Sequence, residues 1–206
     1  MNDRDTFLQA MAQMGRPVTP VELEMCDLYA EELQRWQKKI NLIGNSTANS
    51  IYTRHILDAA QLILSVPRGT ILDVGSGAGI PGLIWSIFLD NPIYLCERIG
   101  KKTAFLNSLV RKLEVGEQCQ VINDDVCNVN GPFNIITARA VTSVRDFLDL
   151  TSHLITSETL IILPKGKDSD IEIEAARKKW SFDTSTIDSL TDGSAKTIFF
   201  THIHKL

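Results

Sequence analysis

The chain has 206 residues, of which 44% are hydrophobic and 22% charged, a composition typical of a globular protein with one substantial core. Its net charge of -4 and its pI of about 5.6 exclude a protein that coats nucleic acid through its overall field, so any such contact must be local. The sequence has neither a secretory signal pattern nor an apolar run long enough to cross a bilayer. We therefore expect a cytoplasmic protein without membrane contacts. The four cysteines form no CxxC pair, and we expect neither a metal site nor disulfides.

The first third of the chain predicts helices. A capping box at residues 19–22 marks the start of a helix that extends over about residues 20–40. A second helical pattern occupies about residues 50–64. Because each helix has an apolar face that must pack on something, we expect residues 1–66 to form a helical extension on a core domain of residues 67–206.

After this extension, short apolar runs alternate with amphipathic ones, which is typical of βα units on a mostly parallel sheet. Strands are predicted at residues 70–74, 93–96, 119–122, 133–138 and 159–163. Helices are predicted at residues 81–89, 101–113, 144–154 and 169–180. Two late β-like runs, residues 182–187 and 197–202, predict an antiparallel hairpin at the sheet edge. The fold class is therefore α/β and Rossmann-like, with a seven-stranded, mostly parallel sheet, a C-terminal hairpin and the N-terminal extension.

A glycine-rich loop follows the first predicted strand, in the segment ILDVGSGAGIPG of residues 71–82. Gly75, Gly77 and Gly79 allow a sharp turn and a close approach of the backbone to a ligand. Glu97 ends the next strand, where an acid can accept hydrogen bonds from both ribose hydroxyls. The loop and the acid together indicate a cofactor that contains adenosine.

The cofactor could be a dinucleotide or S-adenosylmethionine, because the loop also satisfies GxGxxG. Asp73 lies inside the strand end, where a carboxylate suits the cationic amino-acid part of S-adenosylmethionine better than a dinucleotide. Pro81 removes a backbone N–H that would help to bind pyrophosphate. No tyrosine begins a YxxxK pair. These features favour a methyltransferase, with an NAD-dependent oxidoreductase as the alternative.

The fourth strand ends in Thr-Ala-Arg-Ala, which places Arg139 at the edge of the sheet where ligands bind. Neither an Asp/Asn-Pro-Pro-aromatic turn nor a cysteine follows this strand, so the usual features for exocyclic amines and pyrimidine carbons are missing. An acceptor such as guanine N7 has a free lone pair and needs no base. Arg139 could hold a phosphate, the cofactor carboxylate or the guanine O6 edge. Lys165 could hold an RNA phosphate.

The sequence resembles the RsmG/GidB family of bacterial small-subunit ribosomal RNA methyltransferases. The resemblance covers nearly the whole chain. Its most specific parts are the RHILDA block at residues 54–59 and the GIPG that follows the glycine loop. It also includes KKTAFL at residues 101–106, TARA at residues 137–140 and Lys165-Gly166.

The resemblance implies a class I methyltransferase that transfers a methyl group from S-adenosylmethionine to guanine N7 in 16S ribosomal RNA, alone or in the small subunit. We also expect a monomer that does not act on DNA. Together with the glycine loop the resemblance predicts cofactor contacts at Asp73, Gly75, Gly77, Gly79, Ile80, Glu97, Asp125, Val126 and Arg139. Arg139 is the expected catalytic residue. The expected RNA contacts are Arg54, His55, Lys101, Lys102 and Lys165. A non-catalytic ribosome-binding module and a small-molecule methyltransferase are further alternatives.

Overall fold

The computed structural model of the protein describes residues 2–206. Within this part, the strands are β1 Ile71–Val74, β2 Ile93–Cys96, β3 Cys119–Ile122, β4 Ile135–Thr137, β5 Leu160–Lys165, β6 Trp180–Asp188 and β7 Lys196–Lys205. The α-helices are α1 Asp3–Gln13, α2 Pro20–Gln37, α3 Asp58–Ala60, α4 Gly82–Phe88, α5 Gly100–Lys112, α6 Val144–Thr151 and α7 Ser169–Ala176. A π-helix covers Tyr52–Leu57, and short 3-10 turns cover Asn45–Thr47, Ile63–Ser65, Val126–Asn128 and Ser152–Leu154.

The strands form one seven-stranded sheet in the order β3-β2-β1-β4-β5-β7-β6. The first five strands are parallel, β7 is antiparallel to β5, and β6 pairs with β7 at the edge. The predicted fold class is therefore confirmed. Asp73 of β1 lies level with Leu95 of β2 and Thr137 of β4, so the carboxyl ends of these three strands meet at one edge of the sheet.

Helices cover both faces of the sheet. On one face a continuous apolar cluster joins the N-terminal helices to α4 and α5, and includes Phe7, Leu33, Leu83 and Leu106. On the other face a second cluster packs α6 and α7. All four residues of β1 are buried, because β1 lies inside the sheet and helices cover both faces of the sheet. Among the described residues, none of the helices is both long and apolar enough to cross a bilayer.

Two parts of the N-terminal region differ from the prediction. Helix α1 was not predicted, because its apolar residues are too few for a clear helical period. The helix expected over residues 50–64 is instead the π-helix Tyr52–Leu57, the single turn α3 and a 3-10 turn. Asp3 of α1 accepts hydrogen bonds from the backbone N–H groups of Tyr52 (2.8 Å) and Thr53 (3.1 Å). The first helix therefore holds the start of the π-helix through a contact that no local pattern could indicate.

Candidate active site

The glycine loop lies between β1 and α4 at the carboxyl edge of the sheet. The N–H groups of Gly75 and Ser76 both donate to the carbonyl of Cys96, at 2.8 and 3.1 Å, which ties the loop to the end of β2. Gly75 has φ +67°, and a Cβ there would lie 2.9 Å from Cγ2 of Val141. Only glycine fits this position without strain. The Tyr29 hydroxyl of α2 donates to the carbonyl of Ala78 at 2.9 Å, so the N-terminal region also holds the loop.

Asp73 is fully buried directly beneath this loop. Its Oδ2 accepts a hydrogen bond from the N–H of Gly82 at 3.0 Å, at the start of α4. No described residue donates a hydrogen bond to its Oδ1. Burial raises the pKa of Asp73 from 3.8 to about 7, against the lowering effect of the Gly82 hydrogen bond. A buried carboxylate oxygen without a donor fits a cationic ligand group that would supply one.

Glu97 is 5% exposed and bridges the glycine loop to the segment after β2. Its Oε2 accepts from the N–H of Gly77 at 3.0 Å, and its Oε1 accepts from the N–H of Ile99 at 2.8 Å. Each carboxylate oxygen can accept more than one hydrogen bond, so both retain capacity for a ribose hydroxyl. The two backbone donors also fix the orientation of the carboxylate.

Beside Glu97 lies a cavity of about 210 Å³, here called the β2 cavity. It is lined by Val74, Gly75, Cys96, Glu97, Arg98, Asp124, Asp125, Val126, Val141 and Leu150. Val126 is buried and gives the cavity an apolar wall, while Asp125 caps the turn Val126–Asn128 by accepting from the N–H of Cys127 at 3.1 Å. This hydrogen bond is the main reason that the pKa of Asp125 lies below its usual value. An apolar slot beside a fixed carboxylate suits a nucleoside.

Arg139 follows β4, and its side chain is 26% exposed. Its Nη2 donates to Nδ1 of His55 at 3.1 Å and to the carbonyl of Arg54 at 3.4 Å. Its Nη1 lies 3.5 Å from Oδ2 of Asp58, within ion-pair distance, yet makes no hydrogen bond to a described residue. The guanidinium therefore has one buried donor without a hydrogen-bond partner among the described residues.

Arg139 borders two further cavities. The loop cavity, of about 370 Å³, is lined by Leu42, Ile43, Gly44, Thr47, His55, residues 75–78, Ile80, Lys102 and residues 139–141. The cleft, of about 460 Å³, is lined by Arg54, Asp58, residues 139–142, residues 164–166, Glu172, Ser189, Asp192 and residues 195–197. Val141 lines the β2 cavity, the loop cavity and the cleft, so the three spaces meet at this side chain.

The predicted cofactor residues lie together around these cavities. Gly75 lines both the β2 cavity and the loop cavity, and Gly77 and Ile80 line the loop cavity. Gly79 lies deeper, since a Cβ there would meet Leu83 of α4 at 2.8 Å, and it serves the packing of the loop on the helix. Their roles in cofactor binding stay predictions, and their positions are compatible with those roles.

The predicted RNA contacts are scattered. Arg54 lines the cleft and donates to the carbonyl of Thr191 at 2.6 Å. Lys102 lines the loop cavity, and Lys101 is exposed on α5. His55, at 2% exposure, has no surface free for RNA.

Lys165 has a local role in the structure. Its side chain is 13% exposed, and its Nζ donates to the carbonyl of Thr142 at 2.6 Å and to Glu172 at 2.8 Å. Glu172 in turn accepts from the N–H of Val144 at 2.8 Å. Lys165 and Glu172 therefore hold the segment between Arg139 and α6. Sequence reasoning did not find Val141 or Glu172, because neither belongs to a motif.

Comparison with known proteins assigns the family. Residues 22–198 match the family model GidB, described as rRNA small subunit methyltransferase G. The chain belongs to the GidB family. A ribosomal RNA small subunit methyltransferase G of Methylobacterium nodulans is 37% identical over 94% of this chain and 92% of its own length. The protein of the same name from Rickettsia prowazekii is 31% identical over 89% of this chain and 96% of its own length.

Solved structures agree on the fold. Magnesium protoporphyrin IX methyltransferase from Synechocystis, solved with bound S-adenosylmethionine, is similar with a TM-score of 0.58 at 15% identity, over 89% of this chain and 98% of that one. A ribosomal protein L11 methylase from Lactobacillus delbrueckii subsp. bulgaricus gives 0.56 at 16% identity, over 72% and 78% of the two chains.

Membership of the GidB family confirms the predicted enzyme class. The chain is an S-adenosylmethionine-dependent methyltransferase of small-subunit ribosomal RNA. The choice between the two cofactors that the glycine loop left open is thereby decided against NAD. The unpartnered oxygen of Asp73 and the spare acceptor capacity of Glu97 both fit this cofactor.

Proposed function

We propose that the protein methylates N7 of a guanine in 16S ribosomal RNA, with Arg139 as the catalytic residue. The observation that carries the proposal is the position of Arg139 between the loop cavity, on the cofactor side, and the open cleft. A guanidinium at this boundary can orient groups in both spaces at once.

Four residues would hold the cofactor. Glu97 would accept from the ribose hydroxyls, and Val126 would contact the adenine in the β2 cavity. Asp73 would face the cationic amino-acid part across the glycine loop, and Gly75 leaves room for the backbone to approach. The bound cofactor supplies a methyl group on a positively charged sulfur, which is ready for in-line displacement.

Guanine N7 as the acceptor agrees with the side chains of the site. This atom carries a lone pair and no proton, so the protein needs to position it and has no proton to remove. His55 already uses both ring nitrogens, through Arg139 and through Oγ1 of Thr47 at 3.0 Å. Burial raises the pKa of the Cys96 thiol to about 12, which keeps it protonated and poorly nucleophilic. The remaining contribution is orientation by Arg139, which can donate to guanine O6 or a phosphate.

RNA would enter through the cleft. Arg54 and Lys196 line it, and Lys102 lies on the loop-cavity side of Arg139. Phosphate contacts from these cations would be local, as the net charge of -4 requires.

We further propose that the protein acts in the bacterial cytoplasm, where ribosomal RNA is found, and that residues 1–66 form an extension on the domain of residues 67–206. The apolar cluster that the two parts share supports the packing of the extension on the domain. Monomeric action stays a prediction.

The test uses small subunits from a strain that lacks the gene, incubated with the protein and labelled S-adenosylmethionine. Chemical cleavage at N7-methylguanine maps the label. We expect one labelled guanine in 16S RNA, loss of labelling with Arg139→Ala, and partial retention with Arg139→Lys because lysine keeps the charge but loses the planar donors. Label at another atom or in another RNA would overturn the acceptor assignment. Full activity of Arg139→Ala would overturn the role of Arg139.

A further inference from the structure

Three residues of the RHILDA block converge on one guanidinium, although Arg54 and Asp58 also line the cleft. Arg139 Nη2 meets the carbonyl of Arg54 at 3.4 Å and Nδ1 of His55 at 3.1 Å, and Arg139 Nη1 faces Oδ2 of Asp58 at 3.5 Å. We call these three groups the Arg139 clamp. Two of its members lie in the π-helix, and the third follows it directly.

A backbone carbonyl and a side chain from consecutive residues reach the same guanidinium. The carbonyl of Arg54 has two lone pairs, so it can accept from Arg139 in addition to a helical hydrogen bond. π-helical turns are rare and concentrate at functional sites. Here the backbone carbonyl of Arg54 and the side chain of His55 both face Arg139.

The ends of the π-helix are held from outside. Asp3 accepts from Tyr52 and Thr53 at one end. At the other end, Oδ1 of Asp58 accepts from the Thr191 hydroxyl at 2.8 Å. The clamp is therefore built into the fold by contacts from distant parts of the chain, and its members are fixed before any RNA arrives.

We propose that His55 is a positioning residue, which holds Arg139 in place as a neutral imidazole protonated on Nε2 only. Nδ1 then accepts from Arg139, and Nε2–H donates to Oγ1 of Thr47 at 3.0 Å. Burial, with further lowering by Arg139 and Arg54, brings the pKa of His55 to about 4, against a raising effect from Asp3. The neutral form that the hydrogen bond needs is therefore the form present near neutral pH. The inference rests on the proposed role of Arg139.

Two substitutions at this position separate its two hydrogen bonds. His55→Asn places an amide oxygen close to the Nδ1 position and keeps an acceptor for Arg139. His55→Gln reaches the Nε2 position and keeps only the Thr47 contact. Loss of one hydrogen bond to a charged group corresponds to about 10- to 100-fold in rate. We expect His55→Gln to lower kcat by about this factor with little change in KM for S-adenosylmethionine, and His55→Asn to recover most of it. His204→Gln, on the exposed end of β7, is the matched control.

A measurement on the free protein makes the inference independent of catalysis. Nitrogen NMR of the imidazole in the unmodified protein should show Nδ1 without a proton and Nε2 with one. Arg139→Ala should shift the Nδ1 resonance. A proton on Nδ1, or a charged ring near neutral pH, would refute the inference because neither form can accept from Arg139. Equal loss of kcat in both His55 variants would refute it as well.

The outcomes also separate this inference from the proposed function. If His55→Gln is as active as the unmodified protein while Arg139→Ala is inactive, the clamp is unnecessary and the function stands. If Arg139→Ala remains active while the NMR signals are as expected, the hydrogen bond is real and the catalytic assignment fails.

Discussion

Replacing Asp73 by asparagine tests the most unusual electrostatic feature of the site. The amide introduced by Asp73→Asn would keep an oxygen for the N–H of Gly82, while its NH₂ group would replace the oxygen that lacks a donor. The side chain of Asp73 is fully buried, and its pKa is raised from 3.8 to about 7, so the folded protein holds this carboxyl protonated in a pH range where the unfolded chain ionises it.

Linkage sets the direction of the pH dependence. Because the folded pKa lies above the unfolded value, the contribution of Asp73 to stability is fully present below pH 3.8 and is lost as the pH rises through about 7. Between about pH 5 and pH 8, these two pKa values correspond to a decrease in the free energy of unfolding of about 3 kcal/mol. Asp73→Asn removes the ionisation and should remove this part of the pH dependence.

The measurement is urea unfolding of the cofactor-free protein at several pH values across this range. As the pH rises, the free energy of unfolding of Asp73→Asn should increase relative to that of the unmodified protein. Parallel curves for the two proteins would refute the reasoning, because Asp73 would then be ionised, or protonated, equally in both states throughout.

Cofactor binding provides a second test of the protonation state of Asp73. A cationic amino group beside Asp73 would favour the ionised carboxyl, so binding near pH 6 should release a proton from the unmodified protein. Calorimetric titrations in buffers of different ionisation enthalpy measure this release. Asp73→Asn should bind S-adenosylmethionine more weakly and release no such proton. Identical proton release from the variant would place the cationic group elsewhere.

Two further substitutions test the loop and its support. Gly75→Ala would place a Cβ 2.9 Å from Val141 on a backbone with φ +67°, which corresponds to a strain of about 1–3 kcal/mol. We expect this variant to bind S-adenosylmethionine about tenfold or more weakly in a titration. Gly116→Ala, whose Cβ would meet its first neighbour at 3.8 Å, should bind normally, and equal affinity in both variants would exclude the strain. Lys165→Met frees the carbonyl of Thr142 and should lower kcat with an unchanged salt dependence of RNA binding. A salt slope smaller by about one would instead identify Lys165 as a phosphate contact.

Local sequence patterns were sufficient for the sheet. The bounds of β2 and β3 agree with the prediction to the residue, because both are short apolar runs between clear turns. The C-terminal hairpin was also predicted, although β6 begins at Trp180, which had been assigned to the preceding helix. That residue is buried in the second apolar cluster, and its tertiary contacts override the helical pattern.

The arrangement of the site was less accessible to sequence reasoning. Glycines, Asp73 and Glu97 could be placed because they occupy fixed positions relative to strands. The positions of His55 and Lys165 could not, since each depends on partners 84 and 23 residues away in the chain. Sequence alone presented both as basic residues near a nucleic-acid surface, whereas burial and hydrogen bonding give each of them a specific partner.

The contacts of the π-helix have a practical consequence for handling the protein. Asp3 supports it from the beginning of the chain, and Thr191 supports it from a turn near the other end. A purification tag fused next to Asp3, or a substitution in the turn that carries Thr191, would disturb the surroundings of Arg139 although neither change is near it in sequence. Low activity in such a preparation would then reflect a displaced Arg139 side chain and would not measure the activity of the natural enzyme.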